Sequence, residues 1–118
     1  YNTTKDYEIC VKFRRNKAIL PEAGGSSVFT CDGSADAKQY NNPFSKPFEL
    51  WEWLIKKVSL PGQLILDPFG GEFSFARAAI NTGRNPVSVE IDEVHYNKGL
   101  VDVQNLYKTL YRGEVKFV

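Results

Sequence analysis

The sequence has 118 residues, enough for one α/β domain and too few for two. Its 42% hydrophobic and 25% charged residues are ordinary for a globular protein, and a net charge of +1 excludes a polycation that binds nucleic acid over its whole surface. The sequence contains no apolar run of membrane-spanning length, no signal-peptide pattern and no metal-type cysteine spacing, so a reducing cytoplasm is the expected location.

The first half of the chain predicts one strand, one long loop and one helix. Residues 7–14 alternate apolar and polar side chains, as a half-buried strand does. Residues 21–45 combine glycine, proline, serine and aspartate with few apolar residues, which is typical of a loop. Pro47 suits the first turn of a helix, and Pro61 with Gly62 closes it. The apolar face of this helix comprises Phe48, Trp51, Leu54, Ile55 and Val58.

Strands and helices alternate in the second half of the chain. The expected elements, in order, are a strand at 63–67, a helix over Phe73–Ile80 that stops at Gly83, a strand at 86–91, a helix at 93–111 and a last strand at 114–118. The apolar side of the long helix comprises Leu100, Val103, Leu106, Tyr107 and Leu110. This alternation predicts an α/β fold, in which a partly parallel sheet is flanked by helices through right-handed crossovers.

The residues at two adjacent strand ends indicate a site for a nucleoside cofactor. The first of these strands ends in Asp67, after which Gly70 and Gly71 allow a tight turn and a close approach by a ligand. Glu90 follows 19 positions after Gly71, and an acid about 20 residues beyond a glycine turn is how α/β sheets hold a ribose. Phe69 either stacks near the cofactor or packs in the core. The simpler alternatives are a turn residue at Asp67 and a solvated strand end at Glu90.

Three blocks of the sequence resemble motifs of one enzyme family. Residues 43–50 resemble a Lys-Pro block that precedes an apolar helix, residues 67–74 resemble a cofactor loop, and residues 83–92 resemble the next strand with its ribose-binding acid. In combination they are similar to the DNA amino-methyltransferases, which move a methyl group from S-adenosylmethionine to the exocyclic amine of adenine or cytosine. The blocks follow the order of the permuted branch, whose cofactor-binding half is C-terminal.

The resemblance implies a Rossmann-like methyltransferase fold, in truncated form, in a single domain. That domain would comprise a strand region at 1–20, a loop at 21–45 and a cofactor-binding α/β core at 46–118. DNA would be the partner, in methylation of the restriction–modification type. We expect this segment alone to bind DNA weakly, because its net charge is close to zero.

The resemblance also implies a set of cofactor-binding residues at the strand ends. They are Lys46, Asp67, Phe69, Gly70, Gly71 and Glu90. Asp67 and Lys46 would lie near the methionine part of S-adenosylmethionine, and Glu90 would bind the ribose. Asp92 is a second candidate for the ribose, and otherwise caps the following helix. No catalytic residue and no metal ligand is assigned.

Two features depart from the family pattern. The family has small residues where this chain has Glu72 and Phe73, which could crowd the methionine part of the cofactor or repel its carboxylate. In addition, the catalytic Asp/Asn-Pro-Pro-aromatic tetrapeptide, which holds the target amine and stacks on the flipped base, does not occur. The similar residues 41–44 lie inside the Lys-Pro block and not at the end of a strand, so we interpret them as part of that block. We therefore expect the group that holds the amine upstream of Tyr1 or on another chain, and expect the isolated chain to be inactive.

Two other functions stay open from the sequence. A catalytically inactive methyltransferase-like module that binds nucleic acid or a protein is the main alternative. A nicotinamide-dinucleotide domain is a weaker one, because the Asp-Pro-Phe start at residues 67–69 does not suit its glycine fingerprint. The chain does not begin with Met, which suggests a fragment or a processed piece.

Overall fold

The computed structural model describes residues 9–13, 15–16, 21, 25–31 and 46–111. Its regular elements, in chain order, are helix α1 (Phe48–Val58), strand β1 (Leu64–Asp67), helix α2 (Ser74–Asn81), strand β2 (Asn85–Ser88) and helix α3 (Glu93–Tyr111). The helices and strands predicted within residues 46–111 are confirmed, but the strand predicted at 86–91 ends three residues earlier, at Ser88. The predicted last strand at 114–118 lies outside the described residues.

The two strands form a parallel sheet in which Leu64 lies opposite Asn85 and Asp67 lies opposite Ser88. Parallel neighbours need a crossover connection, and α2 supplies it. Gly83 ends this crossover with a φ of +77°, so the predicted glycine stop is confirmed. The result is the βαβ unit that the alternating sequence pattern predicted.

Helix α2 forms the centre of the described core because its side chains are small. Ala78 and Ala79 are buried and pack with Ile55 of α1 and the half-buried Ile65 of β1. The opposite side of α2 packs against α3, in a cluster that comprises Phe73, Ala76, Ile80 and Val103. Because the alanines are small, α2 lies close to both the sheet and α1. The three helices therefore form one layer that packs against one face of the sheet.

The other face of the sheet is exposed. Leu64 is 72% exposed and Leu66 is 64% exposed, and Val87 of the neighbouring strand and Val89 just after it are also exposed. Side chains alternate between the two faces of a strand, so the residues that α2 does not cover all point the same way. Parallel sheets are normally covered on both faces. Within the described part of the chain, only one face is.

The segments before residue 46 contain no regular element where the structure describes them. The strand predicted at 7–14 is not present in the described residues 9–13, and Ile9, Val11 and Phe13 are exposed because no described strand pairs with them. Residues 25–31 fall in the predicted loop, and Phe29 packs its ring 5.2 Å from that of Trp53 on α1. Over the described ranges, we find no helix whose length and apolar character would let it cross a bilayer.

Candidate cofactor site

The carboxyl ends of β1 and β2 lie side by side, and the turn after β1 is bonded to the end of β2. The N–H of Val89 donates to the Asp67 carbonyl at 2.9 Å, and the N–H of Gly70 donates to the Val89 carbonyl at 2.7 Å. The Gly70 carbonyl then accepts from the N–H of Phe73 at 2.8 Å, which closes a β-turn. Residues 70–73 are called the glycine turn below.

Glu90 holds the glycine turn from the second strand end. Its Oε2 accepts the N–H of Gly71 at 2.6 Å, and its Oε1 accepts the N–H of Asp92 at 2.8 Å. The Asp92 bond is the main cause that lowers the pKa of Glu90, and the Gly71 bond adds to it against the opposing effect of desolvation. Glu90 is therefore ionised at neutral pH. A carboxylate has about four lone-pair positions, and the bonds from Gly71 and Asp92 use only part of them.

The backbone at Gly71 is open on its outer side. Its φ of +55° lies in the left-handed region, which glycine adopts without steric cost. Apart from its chain neighbours, no heavy atom lies within 4 Å of the position that a Cβ would occupy. Phe69, just before the turn, is 88% exposed, so of its two predicted roles core packing is wrong. A ligand can approach this backbone beside an exposed aromatic ring.

Asp67 acts as a turn residue in this structure. Its Oδ1 accepts the N–H of Phe69 at 3.0 Å, which is an Asx-turn bond within the loop that leaves β1. The simpler of the two sequence interpretations is therefore present. Because this bond uses one carboxylate oxygen, the second oxygen stays available for the ligand contact that the sequence predicts.

Lys46 lies two residues before α1, and its side chain is half-buried. The first half of α1 contacts the start of α2 through a hydrogen bond, in which the Trp51 indole N–H donates to the Ser74 hydroxyl at 3.2 Å. Ser74 follows the glycine turn directly. The structure thus brings five of the six predicted residues to one sheet edge and places Lys46 at the start of the neighbouring helix.

Phe73 adopts a backbone conformation that normally requires glycine. Its φ is +58° and its ψ is +32°, so it is left-handed, at a cost of roughly 1–2 kcal/mol for a residue with a Cβ. The predicted helix therefore begins one residue later, at Ser74, with Phe73 as its N-cap. The side chain is 4% exposed. Phe73 points into the core and does not crowd the open side of the turn.

Two glycines make room for the Phe73 ring. A Cβ on Gly70 would lie 2.6 Å from two ring carbons, and a Cβ on Gly99 of α3 would lie 2.8 Å from another. Tyr96 packs edge-to-face on the ring, at a centroid distance of 5.5 Å. The ring is thus held between the glycine turn and α3, and its burial offsets the left-handed backbone.

Glu72 also turns toward α3. Its Oε1 accepts from Lys98 Nζ at 2.8 Å, and the Glu72 side chain is only 10% exposed whereas that of Lys98 is 47% exposed. Gly99 lies directly beneath, since a Cβ there would be 2.7 Å from the backbone carbonyl carbon of Glu72. Both residues that depart from the family pattern are therefore bound to the same helix.

Asp92 caps α3, as predicted. Its Oδ1 accepts the N–H of His95 at 2.9 Å, and its carbonyl accepts the N–H of Tyr96 at 2.9 Å. The His95 bond is the main cause that lowers the pKa of Asp92. Asp92 is the cap of α3 and lies only two residues after Glu90. The start of α3, and with it the side of the helix that contacts the glycine turn, is therefore fixed close to Glu90.

The sequence assigned no role to Tyr96, Lys98 or Gly99. The sequence did contain one signal of this contact, which is Gly99. A glycine inside a helix costs about 1 kcal/mol relative to alanine, so its presence indicates that another part of the chain packs closely against the helix there. No signal connected Lys98 with Glu72, since the two are 26 positions apart and meet only through the fold.

Comparisons with known proteins show which family this chain is similar to. The family model N6_N4_Mtase, described as DNA methylase, matches residues 4–100. The DNA adenine methyltransferase YhdJ of Escherichia coli (strain K12) is 36% identical over 78 residues, which are 64% of this chain and 26% of that protein. The chain thus spans about a quarter of the length of this relative.

Two solved structures share the fold. The crystal structure of the M1.HpyAVI-SAM complex matches with a TM-score of 0.53 and 22% identity, over 70% of this chain and 43% of that one. TTHA0409, a putative DNA modification methylase from Thermus thermophilus complexed with S-adenosyl-L-methionine, matches with a TM-score of 0.51 and 20% identity, over 82% of this chain and 44% of that one. At these identities the likeness establishes the architecture of the described core.

Proposed function

Since this chain belongs to the DNA methylase family that the N6_N4_Mtase model describes, we propose that it is the S-adenosylmethionine-binding part of a DNA amino-methyltransferase. The substrate would be the exocyclic amine of adenine or cytosine in DNA. The chain spans only part of its relatives, so the proposal for these 118 residues concerns the cofactor and its orientation.

The observation that carries the proposal is the bond between Glu90 and the glycine turn. An ionised carboxylate with spare acceptors lies at one strand end, next to a glycine backbone that is open to a ligand. Ribose hydroxyls donate well to such a carboxylate, and the bonds from Gly71 and Asp92 already fix its orientation. Glu90 would therefore bind the ribose without having to reorder.

The remaining predicted residues suit the other parts of the cofactor. Asp67, with one oxygen free of its Asx turn, and Lys46 would bind the amino-acid part, which carries one positive and one negative group. Phe69 is exposed beside the turn and would cover the bound nucleoside. When bound, the cofactor supplies an electrophilic methyl group on its sulfonium. The task of this chain would be to hold that group in a fixed direction and to exclude water around it.

Activation of the target amine is not assigned to these residues. The Asp/Asn-Pro-Pro-aromatic tetrapeptide of the family does not occur in the 118 residues. A net charge of +1 further supports only modest DNA affinity for this segment. We therefore propose a role in cofactor binding for the described residues, and we propose no role for them in base recognition.

Calorimetric titration of the chain with S-adenosylmethionine and with its demethylated product, S-adenosylhomocysteine, tests the proposal. We expect saturable heat with both ligands, because they share the ribose and the amino-acid part. Absence of binding at millimolar concentration of either ligand would contradict the proposal.

A methyltransferase-like module without activity is the second candidate, and two observations favour it. The catalytic tetrapeptide is missing from the sequence, and the glycine turn carries a phenylalanine in a left-handed conformation. Transfer of a radiolabelled methyl group to DNA distinguishes the two functions. A protein that contains this chain and binds the cofactor, yet transfers no label to DNA, would be such a module.

A further inference from the structure

The ion pair between Glu72 and Lys98 lies at the edge of the proposed cofactor site. Glu72 is the residue between Gly71, which is bonded to Glu90, and Phe73, which is buried. Its carboxylate is nearly enclosed, and its Oε1 lies 2.8 Å from Lys98 Nζ. A carboxylate this little exposed needs a compensating positive charge, because its own hydration is largely lost.

We infer that Lys98 is a positioning residue of the cofactor site, which neutralises Glu72 and holds its carboxylate against α3. The inference rests on the proposed function. The glycine turn then presents open backbone and no net negative charge to the carboxylate of the methionine part. Lys98 thereby compensates for an acid at a position where the family has a small residue.

The packing between α3 and the turn explains why Lys98 reaches Glu72. Gly99 brings the helix backbone close to the Glu72 carbonyl, where any side chain at position 99 would collide. Tyr96 packs on the Phe73 ring and anchors the preceding turn of the helix. Lys98, which lies between these two contacts in sequence, is therefore directed along the edge of the glycine turn.

Removing the positive charge of Lys98 should lower the affinity only for ligands that carry a carboxylate. With Lys98 replaced by methionine, Glu72 keeps an uncompensated charge close to the amino-acid part of the ligand. For two like charges at an assumed separation of about 6 Å, Coulomb's law gives a weakening of about 3-fold at the dielectric constant of water and about 100-fold at the effective value for a protein surface, so we expect a loss between these limits. The ligand 5′-methylthioadenosine has the same nucleoside, with a neutral thioether in place of the sulfonium and without the amino-acid part, so its affinity should not change.

The experiment compares both ligands on four proteins: the unchanged chain, Lys98→Met, the Lys98→Met/Glu72→Gln double variant, and Lys108→Met. Lys108 is an exposed lysine in the last turn of α3, so its variant controls for the loss of one positive charge on the same helix. We expect Lys98→Met to weaken S-adenosylmethionine binding alone, added salt to reduce the difference, and Glu72→Gln to restore the affinity.

Several outcomes would overturn the inference. Equal weakening of both ligands by Lys98→Met would mean that Lys98 only supports the fold, and unchanged binding would mean that it plays no part. If Lys98→Met unfolds the chain, Glu72→Gln decides alone: the inference predicts equal or tighter binding of S-adenosylmethionine, and weaker binding contradicts it. Failure of the unchanged chain to bind S-adenosylmethionine would instead reject the proposed function itself.

Discussion

The contact between Gly70 and the Phe73 ring predicts a large effect from adding a single methyl group. In Gly70→Ala the new Cβ would lie 2.6 Å from the Cδ1 and Cε1 atoms of Phe73. The ring cannot move away, because Gly99 of α3 lies tightly against its other edge. Gly70 does not have a positive φ, so alanine meets no backbone strain and the steric clash is the whole effect.

The packing around Phe73 sets the expected changes in the free energy of unfolding. Overfilling a packed core costs about 1–3 kcal/mol, and we expect the upper part of this range for Gly70→Ala. Phe73→Gly should lose about 3–5 kcal/mol for the buried ring and regain roughly 1–2 kcal/mol from relief of the left-handed backbone. In the Phe73→Gly background the contact with the ring is gone, and only the Ser88 Cβ lies close to the new methyl group, at 3.3 Å. Gly70→Ala should then cost little, which gives a coupling free energy of about 2 kcal/mol.

Urea unfolding of the four proteins in this cycle, followed by tryptophan fluorescence, measures the coupling. Trp51 reports on the region directly, because it is hydrogen-bonded to Ser74 next to Phe73. If Gly70→Ala has the same cost with and without the Phe73 ring, the ring does not lie against Gly70. The explanation that Gly70 and Gly99 make room for the left-handed Phe73 would then be wrong.

Three further predictions concern the residues around this contact. Gly99→Ala should destabilise the chain by about 2 kcal/mol or more, measured by urea unfolding, because its Cβ would meet the rigid backbone of the glycine turn. Arg84→Lys should cost about 1–3 kcal/mol in the same assay, since buried Arg84 donates from two separate nitrogens to the hydroxyl and the carbonyl of Ser59, whereas lysine offers a single nitrogen. The pKa values of Glu90 and Asp92 are lowered in the folded state, so both carboxylates stabilise the fold fully above their ordinary pKa values and lose this effect as pH falls through their lower folded values. Thermal unfolding from pH 7 to pH 3 should therefore show a loss of stability that is smaller in Glu90→Gln/Asp92→Asn.

The periodicity of apolar residues was sufficient to predict the helices and strands between residues 46 and 111. The apolar stripe around Ile55 and the long stripe around Val103 follow a helical repeat, and a short apolar run before Asp67 marked the first strand. Local patterns of this kind carry most of the information about helices and strands. They also placed Glu90 and the glycines at one sheet edge, because parallel strands end on the same side.

The features that the sequence did not reveal depend on contacts between distant residues. Phe73 was predicted to be helical because its apolar character fits a helix, and only the glycines at 70 and 99 show how a left-handed phenylalanine is accommodated. The strand predicted at 7–14 failed in its described residues because alternation indicates a strand only where a neighbour covers one face. The pairing of Glu72 with Lys98 likewise required the packing of α3 on the turn.

The most direct test of the central claim is the affinity of S-adenosylmethionine for the chain and for Glu90→Gln, with Glu93→Gln as the control for loss of one exposed carboxylate near the start of α3. Hydrogen bonds to a charged group contribute about 1.5–3 kcal/mol, so Glu90→Gln should weaken binding by about tenfold or more. Glu93→Gln should leave the affinity unchanged. Equal affinities for all three proteins, or no binding by the unchanged chain, would contradict the claim that Glu90 and the glycine turn hold the adenosyl group.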